Sequence, residues 1–286
     1  MPTISIANPH LSARIRLRGA ELCSLNDTVR QRELLWRGDP AVWSGTAPIL
    51  FPAVGRLRES GFRYRGQFYD LPIHGFAAAR DFSIESRSPS AVTLRLSDTA
   101  ATRAVYPFAF DLRVRFELIE NTIRIDYAVT NPAAEPLIFS LGSHPAFALP
   151  AASMGEAAAQ LHFDREEEGV CHRIRDGLLG DAEPLCLAER RLMLRADTFA
   201  EDAIILRNLR SRRLSLYAAG ERLLTFDTGG APHLGLWAKP NAPYLCVEPW
   251  LTTDDSRDAP LEISAKPGFI TLSERDCFQM HYQVCV

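Results

Sequence analysis

Alternation of apolar and polar residues runs through most of the chain and predicts β-strands. The clearest case is a hairpin, in which residues 112–118 and 123–129 place apolar side chains at every second position and charged ones between them. Residues 62–64 and 67–69 flank the pair Arg65-Gly66, which predicts a second hairpin with a two-residue loop. Strands of this kind bury one face and expose the other.

Two segments depart from this pattern. The Ala-rich residues 151–160 favour a short helix, and residues 164–184, with three successive glutamates and three glycines, are typical of a solvated connection. No helical period is sustained over a dozen residues, no repeat appears and no Pro/Gly-rich linker divides the chain. We therefore predict one all-β domain over residues 1–286, a large sandwich of antiparallel strands.

The stretch from Tyr244 to Trp250 combines an apolar strand with a carboxylate near its end. Tyr244, Cys246 and Glu248 share one face because side chains alternate along a strand, and Pro249 is expected to end the ladder by removing a donor. A glutamate is seldom fully buried unless it is paired. The Glu248 face is therefore predicted to line a cleft, the alternative being a solvent-facing residue or a structural ion pair.

Composition narrows the class of protein. A chain of 286 residues with 47% hydrophobic residues and a net charge of −3 is typical of a soluble globular protein, and it gives no reason to expect a nucleic acid or membrane partner. The start lacks the regions of a signal peptide and no apolar run could span a bilayer, so a cytoplasmic location is predicted. The six scattered cysteines have no CxxC spacing and are predicted to be free thiols.

Two of the seven histidines, His74 and His144, stand beside turn residues at the ends of apolar strands. A histidine there is more often structural than catalytic, but two of them together with Glu248 supply an acid and a base. An acid and a base beside an aromatic ring are suited to a sugar substrate, because the apolar side of a sugar packs on aromatic rings. The aromatic candidates are Trp237, Trp250 and Phe147.

Other chemistries find little support. No HxH, HExxH or CxxC spacing indicates a metal site, and no GxSxG elbow indicates a nucleophilic serine. Asp254-Asp255 with Asp258 lacks the alternation of a calcium loop and is predicted to be a surface loop. Neither a metal nor another cofactor is expected.

Five separated motifs occur in an order that resembles the aldose 1-epimerase (galactose mutarotase) family, and in particular its LacX-like branch. They are PILFPAVGR at 48–56, HGFA at 74–77, SHPAF at 143–147, LGLW at 234–237 and CVEPW at 246–250. The resemblance spans almost the whole chain. It implies a galactose-mutarotase-like β-supersandwich, no cofactor, and interconversion of the α and β anomers of a free aldose.

The same resemblance implies roles for individual residues. Glu248 corresponds to the catalytic base and His144 to the catalytic acid, while His74, Arg56 and Asp202 correspond to residues that bind the sugar. Trp237 is the aromatic residue expected beside them. Two departures bear on the substrate: three alanines at 77–79 delay the arginine that often follows HGF or HGL to Arg80, and residues 251–254 replace the usual glycine after the EPW motif.

Three other functions remain open. A hexose-6-phosphate 1-epimerase needs a basic pocket, for which Arg56, Arg58 and Arg80 are candidates. A non-catalytic carbohydrate-binding protein needs aromatic residues but no acid and base. A glycosidase would pair Glu248 with Asp202. In each case the expected partner is a small-molecule sugar, and the protein is expected to be a monomer or homodimer.

Overall fold

A computed structural model of the protein describes residues 2–150 and 159–286, and about half of these residues lie in β-strands. In chain order the strands are β1 (Thr3–Ala7), β2 (Leu11–Arg16), β3 (Glu21–Asp27), β4 (Arg32–Glu33), β5 (Ile49–Leu50), β6 (Gly61–Tyr64), β7 (Gln67–Asp70), β8 (Ser83–Arg87), β9 (Ala91–Ser97), β10 (Asp111–Ile119), β11 (Thr122–Thr130), β12 (Leu137–Phe139), β13 (Gly142–Ser143), β14 (Ala146–Ala148), β15 (Ala159–Phe163), β16 (Val170–Arg175), β17 (Leu178–Pro184), β18 (Arg191–Leu194), β19 (Ile204–Arg207), β20 (Arg213–Ala218), β21 (Glu221–Asp227), β22 (His233–Trp237), β23 (Tyr244–Trp250), β24 (Ile270–Leu272) and β25 (Cys277–Cys285). One α-helical turn, α1 (Ala100–Arg103), and 3₁₀ turns at Arg58–Ser60, Ala77–Ala79 and Ile263–Ala265 complete the described elements.

Two large sheets dominate the architecture, and their strands pair antiparallel. One has nine strands in the order β18-β15-β20-β21-β25-β11-β10-β9-β8. The other has eight, in the order β17-β16-β19-β22-β23-β13-β5, with β14 also paired to β23. One hydrophobic cluster contains inward-facing residues of both sheets, such as Leu112 and Val114 of β10 and Leu245 and Val247 of β23. The predicted all-β sandwich of antiparallel strands is confirmed.

The two predicted hairpins are present. Strands β10 and β11 pair over their full lengths, and their apolar positions are buried while the charged ones face outward. Strands β6 and β7 are joined by Arg65 and Gly66, whose φ angles of 51° and 81° are those that a tight two-residue hairpin turn requires. All six cysteines are free, as predicted.

Other predictions about local structure were wrong. Residues 164–184 are not a plain solvated connection, because they contain the β16–β17 hairpin at the edge of the eight-stranded sheet. The polar composition that suggested a loop reflects an edge strand with a solvated face. Pro249 does not end β23, since it pairs with Leu234 and the strand continues to Trp250.

The helix predicted at 151–160 falls largely outside the described residues, and Gln160 itself lies in β15. Among the described residues, none of the helices has the length and apolarity needed to cross a membrane.

Candidate active site

The site is built on β23, in the interior of the eight-stranded sheet. On one side Glu248 pairs with Gly235 of β22. On the other side β13 ends at Ser143 and β14 begins at Ala146, so His144 and Pro145 interrupt the neighbouring strand. This interruption brings the His144 ring against the carboxylate, with Nε2 3.3 Å from Oε2 of Glu248.

Trp250, two residues beyond Glu248 on the same face of β23, lies flat across the neighbouring strands because both carry glycine there. A Cβ atom at Gly235 would lie 2.6 Å from the indole ring, and one at Gly142 would lie 2.8 Å from it. Neither distance is tolerable for a real side chain. The two glycines therefore let the indole take its place beside the buried carboxylate.

His74 is held in one tautomer by the backbone of Gly55, which lies in the segment before β6. The Gly55 amide donates to His74 Nδ1 at 3.0 Å, and the His74 amide donates back to the Gly55 carbonyl at 2.9 Å. Because an amide N–H can only donate, Nδ1 is unprotonated and the neutral ring carries its proton on Nε2. Burial, assisted by the nearby charge of Arg56, lowers the pKa of His74 to about 4.

Asp254 is a second buried carboxylate, and the prediction that it lies in a surface loop was wrong. It is only 7% exposed and accepts the Arg56 amide at 2.6 Å. Its carboxyl group packs over Gly55, where any Cβ would overlap it. Burial raises the pKa of Asp254 to about 6.

The next residue, Asp255, ties the loops of the site together. Its carboxylate forms an ion pair with Lys266, whose side chain is fully buried, and accepts the Arg58 amide at 2.8 Å. The Asp255 amide donates to the Arg56 carbonyl at 3.0 Å. A buried ion pair thus holds the segment that carries Arg56 against the one that carries Asp254.

Aromatic residues enclose His144. Trp43 stacks on its ring with a centroid distance of 5.0 Å and an interplanar angle of 28°, and Trp237 meets it edge-on at 5.9 Å. The sequence offered little signal for Trp43, which precedes β5 in an irregular segment. Phe147, a candidate for the aromatic face, instead packs in the core against Phe226.

The opposite wall comes from the β16–β17 hairpin that the sequence did not predict. Its turn residues Asp176 and Gly177 border the pocket, and a Cβ at Gly177 would lie 3.3 Å from Nε of Arg56. Asp202 stands before β19 with a left-handed φ of 74°, and its carboxylate accepts the Ala203 amide at 2.8 Å. Left-handed backbone at a non-glycine residue is often found at functional sites.

These elements surround a cavity of about 530 Å³, a volume suited to a small molecule. It brings together the residues to which the sequence assigned a catalytic or sugar-binding role, namely Arg56, His74, His144, Asp202, Trp237 and Glu248, together with the aromatic candidate Trp250. Trp43, Asp176 and Asp254 also line it, although sequence reasoning did not select them. Arg58 and Arg80 are not among its lining residues.

Comparison with known proteins agrees with this geometry. The aldose 1-epimerase family model matches residues 2–168, and the chromosomal LacX protein of Lactococcus lactis is 30% identical over 99% of both chains. The chain belongs to the aldose 1-epimerase family. A galactose mutarotase related enzyme from Lactobacillus acidophilus superimposes with a TM-score of 0.93 at 30% identity, covering 99% of this chain and 97% of that one. A galactose mutarotase-like protein from Lactobacillus casei gives 0.92 at 30% identity over 99% of both chains.

As a member of this family the chain is an isomerase of the mutarotase type. The pKa values of two side chains in its pocket are shifted in opposite directions. Burial lowers the pKa of His144 to about 3 and raises the pKa of Glu248 well above its usual range, with Asp254 adding to the second effect. Within the described residues, His144 Nδ1 and Glu248 Oε2 are buried without a hydrogen-bond partner. Such atoms are expensive to bury unless a ligand completes them.

Proposed function

We propose that this enzyme interconverts the α and β anomers of a free, unphosphorylated aldose, with Glu248 as general base and His144 as general acid. The observation that carries the proposal is the His144–Glu248 pair, 3.3 Å apart at the base of a sugar-sized cavity. A binding protein would gain nothing from burying an acid and a base side by side.

The reaction needs one proton removed and one supplied. Glu248 takes the proton of the anomeric hydroxyl, the bond between C1 and the ring oxygen breaks, and His144 gives a proton to that oxygen. The product is the open-chain aldehyde. Rotation about the C1–C2 bond followed by the reverse transfers closes the ring as the other anomer. General acid–base assistance typically contributes ~10²–10⁴-fold.

The pKa shifts of the pair fit this requirement. Burial raises the pKa of Glu248 and lowers that of His144, so the empty pocket favours a proton on Glu248 and an uncharged His144. Moving that proton to His144 gives the carboxylate and imidazolium that the reaction uses, with no change in the number of protons bound. A sugar hydroxyl that donates to Glu248 stabilises the carboxylate and therefore favours this transfer.

The remaining polar groups can orient the sugar. His74 offers an N–H donor at Nε2, and no carboxylate of the described residues lies within ion-pair distance of the Arg56 guanidinium, which leaves it available to hydroxyl oxygens. Asp202 offers carboxylate acceptors, and the rings of Trp43 and Trp237 offer faces for the apolar side of a pyranose.

Charge favours a neutral substrate over a sugar phosphate. Among the lining residues Arg56 is the permanent cation, whereas three aspartates, Asp176, Asp202 and Asp254, are acidic in addition to Glu248, which burial keeps neutral in the empty pocket. A dianionic phosphate would be repelled by the ionised carboxylates.

The two other arginines that kept a 6-phosphate substrate open are engaged elsewhere. Arg58 donates to the Arg257 carbonyl at 3.3 Å, and the Arg80 guanidinium lies 5.7 Å from the centre of the Phe76 ring.

The decisive experiment is an NMR measurement of anomer exchange over free hexoses, free pentoses and their 6-phosphates. We expect catalysed exchange of at least one free aldose and much slower exchange of every 6-phosphate. Faster exchange of a 6-phosphate would replace the proposal with a hexose-6-phosphate epimerase, and cleavage of chromogenic glycosides without anomer exchange would replace it with a glycosidase. The cytoplasmic location, the single domain over residues 1–286 and the monomer or homodimer remain predictions.

A further inference from the structure

Three metal-binding side chains meet at the base of the pocket. His144, Cys246 and Glu248 each offer one donor atom, and these atoms lie within 4.8 Å of one another. Cys246 and Glu248 are two residues apart on the same face of β23, and His144 reaches them from the break between β13 and β14. Among the described residues no other group of three such donors comes together.

We propose that His144, Cys246 and Glu248 form a binding site for a thiophilic divalent cation such as zinc or cadmium, and that occupation of this site inhibits the enzyme. The cation is an inhibitor and takes no part in anomer exchange. Binding stands independently of the proposed function, whereas inhibition of exchange rests on it, because two of the three ligands are the proposed acid and base.

The ligand set suits the chemistry of zinc. One imidazole nitrogen, one thiolate sulfur and one carboxylate oxygen are its usual ligands in proteins, at about 2.0–2.3 Å from the ion. Bond lengths of that size place the ligand atoms of a tetrahedral site about 3.3–3.8 Å apart. His144 Nε2 and Glu248 Oε2 already have a suitable separation, 3.3 Å. Since both residues line the cavity, the fourth position can open into it.

Charge balance permits such a site in a buried position. In the occupied site the Cys246 thiolate and the Glu248 carboxylate neutralise the 2+ charge, and any proton that either group held is released to solvent. No net charge is then buried, which avoids the large cost of an uncompensated ion.

One oxygen of the carboxylate is also free to coordinate a cation. Glu248 Oε2 is buried without a hydrogen-bond partner among the described residues, and Glu248 is 1% exposed. A buried acceptor in that condition gains from a ligand that pairs with it. The second observation thus points to the same atom as the ligand geometry.

The test uses Cd²⁺ alone as probe and exploits a second buried thiol as control. In a background with the exposed Cys186 and Cys277 replaced by serine, Cys246→Ala is compared with Cys171→Ala, since both thiols are free and buried. We expect the ultraviolet charge-transfer band of a cadmium thiolate in the background protein and in Cys171→Ala, with one cation bound per chain by calorimetry. Cys246→Ala should lose the band and bind cadmium at least ~10-fold more weakly.

A second variant guards against misfolding of the first. Cys246→Ser keeps the size of the side chain but removes the soft sulfur ligand, and it should also lose the band. A band that persists in both Cys246 variants, or that is absent from the background protein, would overturn the site.

Inhibition is a separate measurement. The zinc concentration that halves anomer exchange, relative to each variant's own metal-free rate, should rise at least ~10-fold in Cys246→Ala and stay unchanged in Cys171→Ala. An equal rise in both variants would overturn the inhibitory role. Absence of anomer exchange in every protein would instead count against the proposed function, and the cadmium band would still decide the metal site.

Discussion

Two concave surfaces of this protein have similar volumes and very different chemistry. The site pocket on the eight-stranded sheet measures about 530 Å³, and a groove on the outer face of the nine-stranded sheet measures about 470 Å³. In the groove the arginines are paired with carboxylates two residues away on the same strand, such as Arg115 with Glu117 at 2.7 Å and Arg124 with Asp126 at 2.7 Å. In the pocket His144 and Glu248, the proposed acid and base, are buried, and each has a buried polar atom without a hydrogen-bond partner among the described residues.

The comparison shows that volume does not mark a functional site here. The groove follows from the period of two along β9, β10, β11 and β25, which puts alternating charges on one solvated face where they satisfy each other. The pocket exists because a strand break, two glycines and a hairpin at the sheet edge bring together groups that are not satisfied. Buried polar atoms without hydrogen-bond partners therefore distinguish the pocket from the groove.

Replacing Glu248 with glutamine should have the largest effect. The amide keeps the size of the side chain but is not a useful base, so anomer exchange should fall ~10²-fold or more while the melting temperature changes little. The measurement is NMR exchange and thermal unfolding on the same preparation. Glu117→Gln, which changes the partner of the groove residue Arg115, is the matched control and should leave exchange unchanged. Near-wild-type exchange in Glu248→Gln would show that another residue is the base.

Removing one partner of a buried ion pair should lower the free energy of unfolding more than removing one partner of an exposed pair. Asp255→Ala leaves the fully buried Lys266 ammonium unpaired and should lower the free energy of unfolding by ~3–5 kcal/mol. Asp126→Ala, which breaks the half-exposed pair with Arg124, should cost ~1 kcal/mol or less. Urea unfolding of the two variants measures both. Equal losses would mean that Lys266 finds another partner or reaches water.

Trimming the aromatic wall should weaken sugar binding more than chemistry. Trp43→Ala removes the ring stacked on His144 and a face for the sugar, so we expect KM to rise ~10-fold with a smaller fall in kcat. Trp43→Phe, which keeps an aromatic face, should recover most of the affinity. A fall in kcat with unchanged KM would indicate instead that Trp43 acts through the orientation of His144.

The smallest effect concerns the pH dependence of stability. Burial lowers the pKa of His233 on the eight-stranded sheet to about 4, with Arg207 and His172 adding to the shift. An unfolded histidine titrates near ~6.5, so the unfolded state binds the proton more readily. The stability that neutral His233 contributes is therefore complete above pH ~6.5 and lost as the pH falls towards 4.

His233→Gln should accordingly flatten the fall of unfolding free energy over this range of pH, as measured by urea titrations at several pH values. His281, in the outer groove, also has a pKa lowered by burial, but it packs on a more solvated surface. His281→Gln is expected to change the slope less. A larger change of slope for His281→Gln would show that the histidine of the outer groove contributes more to the pH dependence of stability than His233 does.

Local patterns in the chain were enough to predict the class of the fold and the residues proposed for the chemistry of the site. Alternation of side chains is a local property, and it predicted the β10–β11 hairpin because every second residue there must meet the core. The motifs around His74, His144 and Glu248 are also local, and they indicated the aldose 1-epimerase family before any contact was known.

Contacts between distant segments determine which further residues complete the pocket. Trp43 reaches His144 across a hundred positions of sequence, and Asp254 is buried because its carboxyl group packs on Gly55. The β16–β17 hairpin was obscured because an edge strand needs few apolar residues. These roles depend on contacts between distant segments, and the same long-range packing that desolvates Glu248 and His144 gives their side chains the opposed pKa shifts that no local pattern encodes.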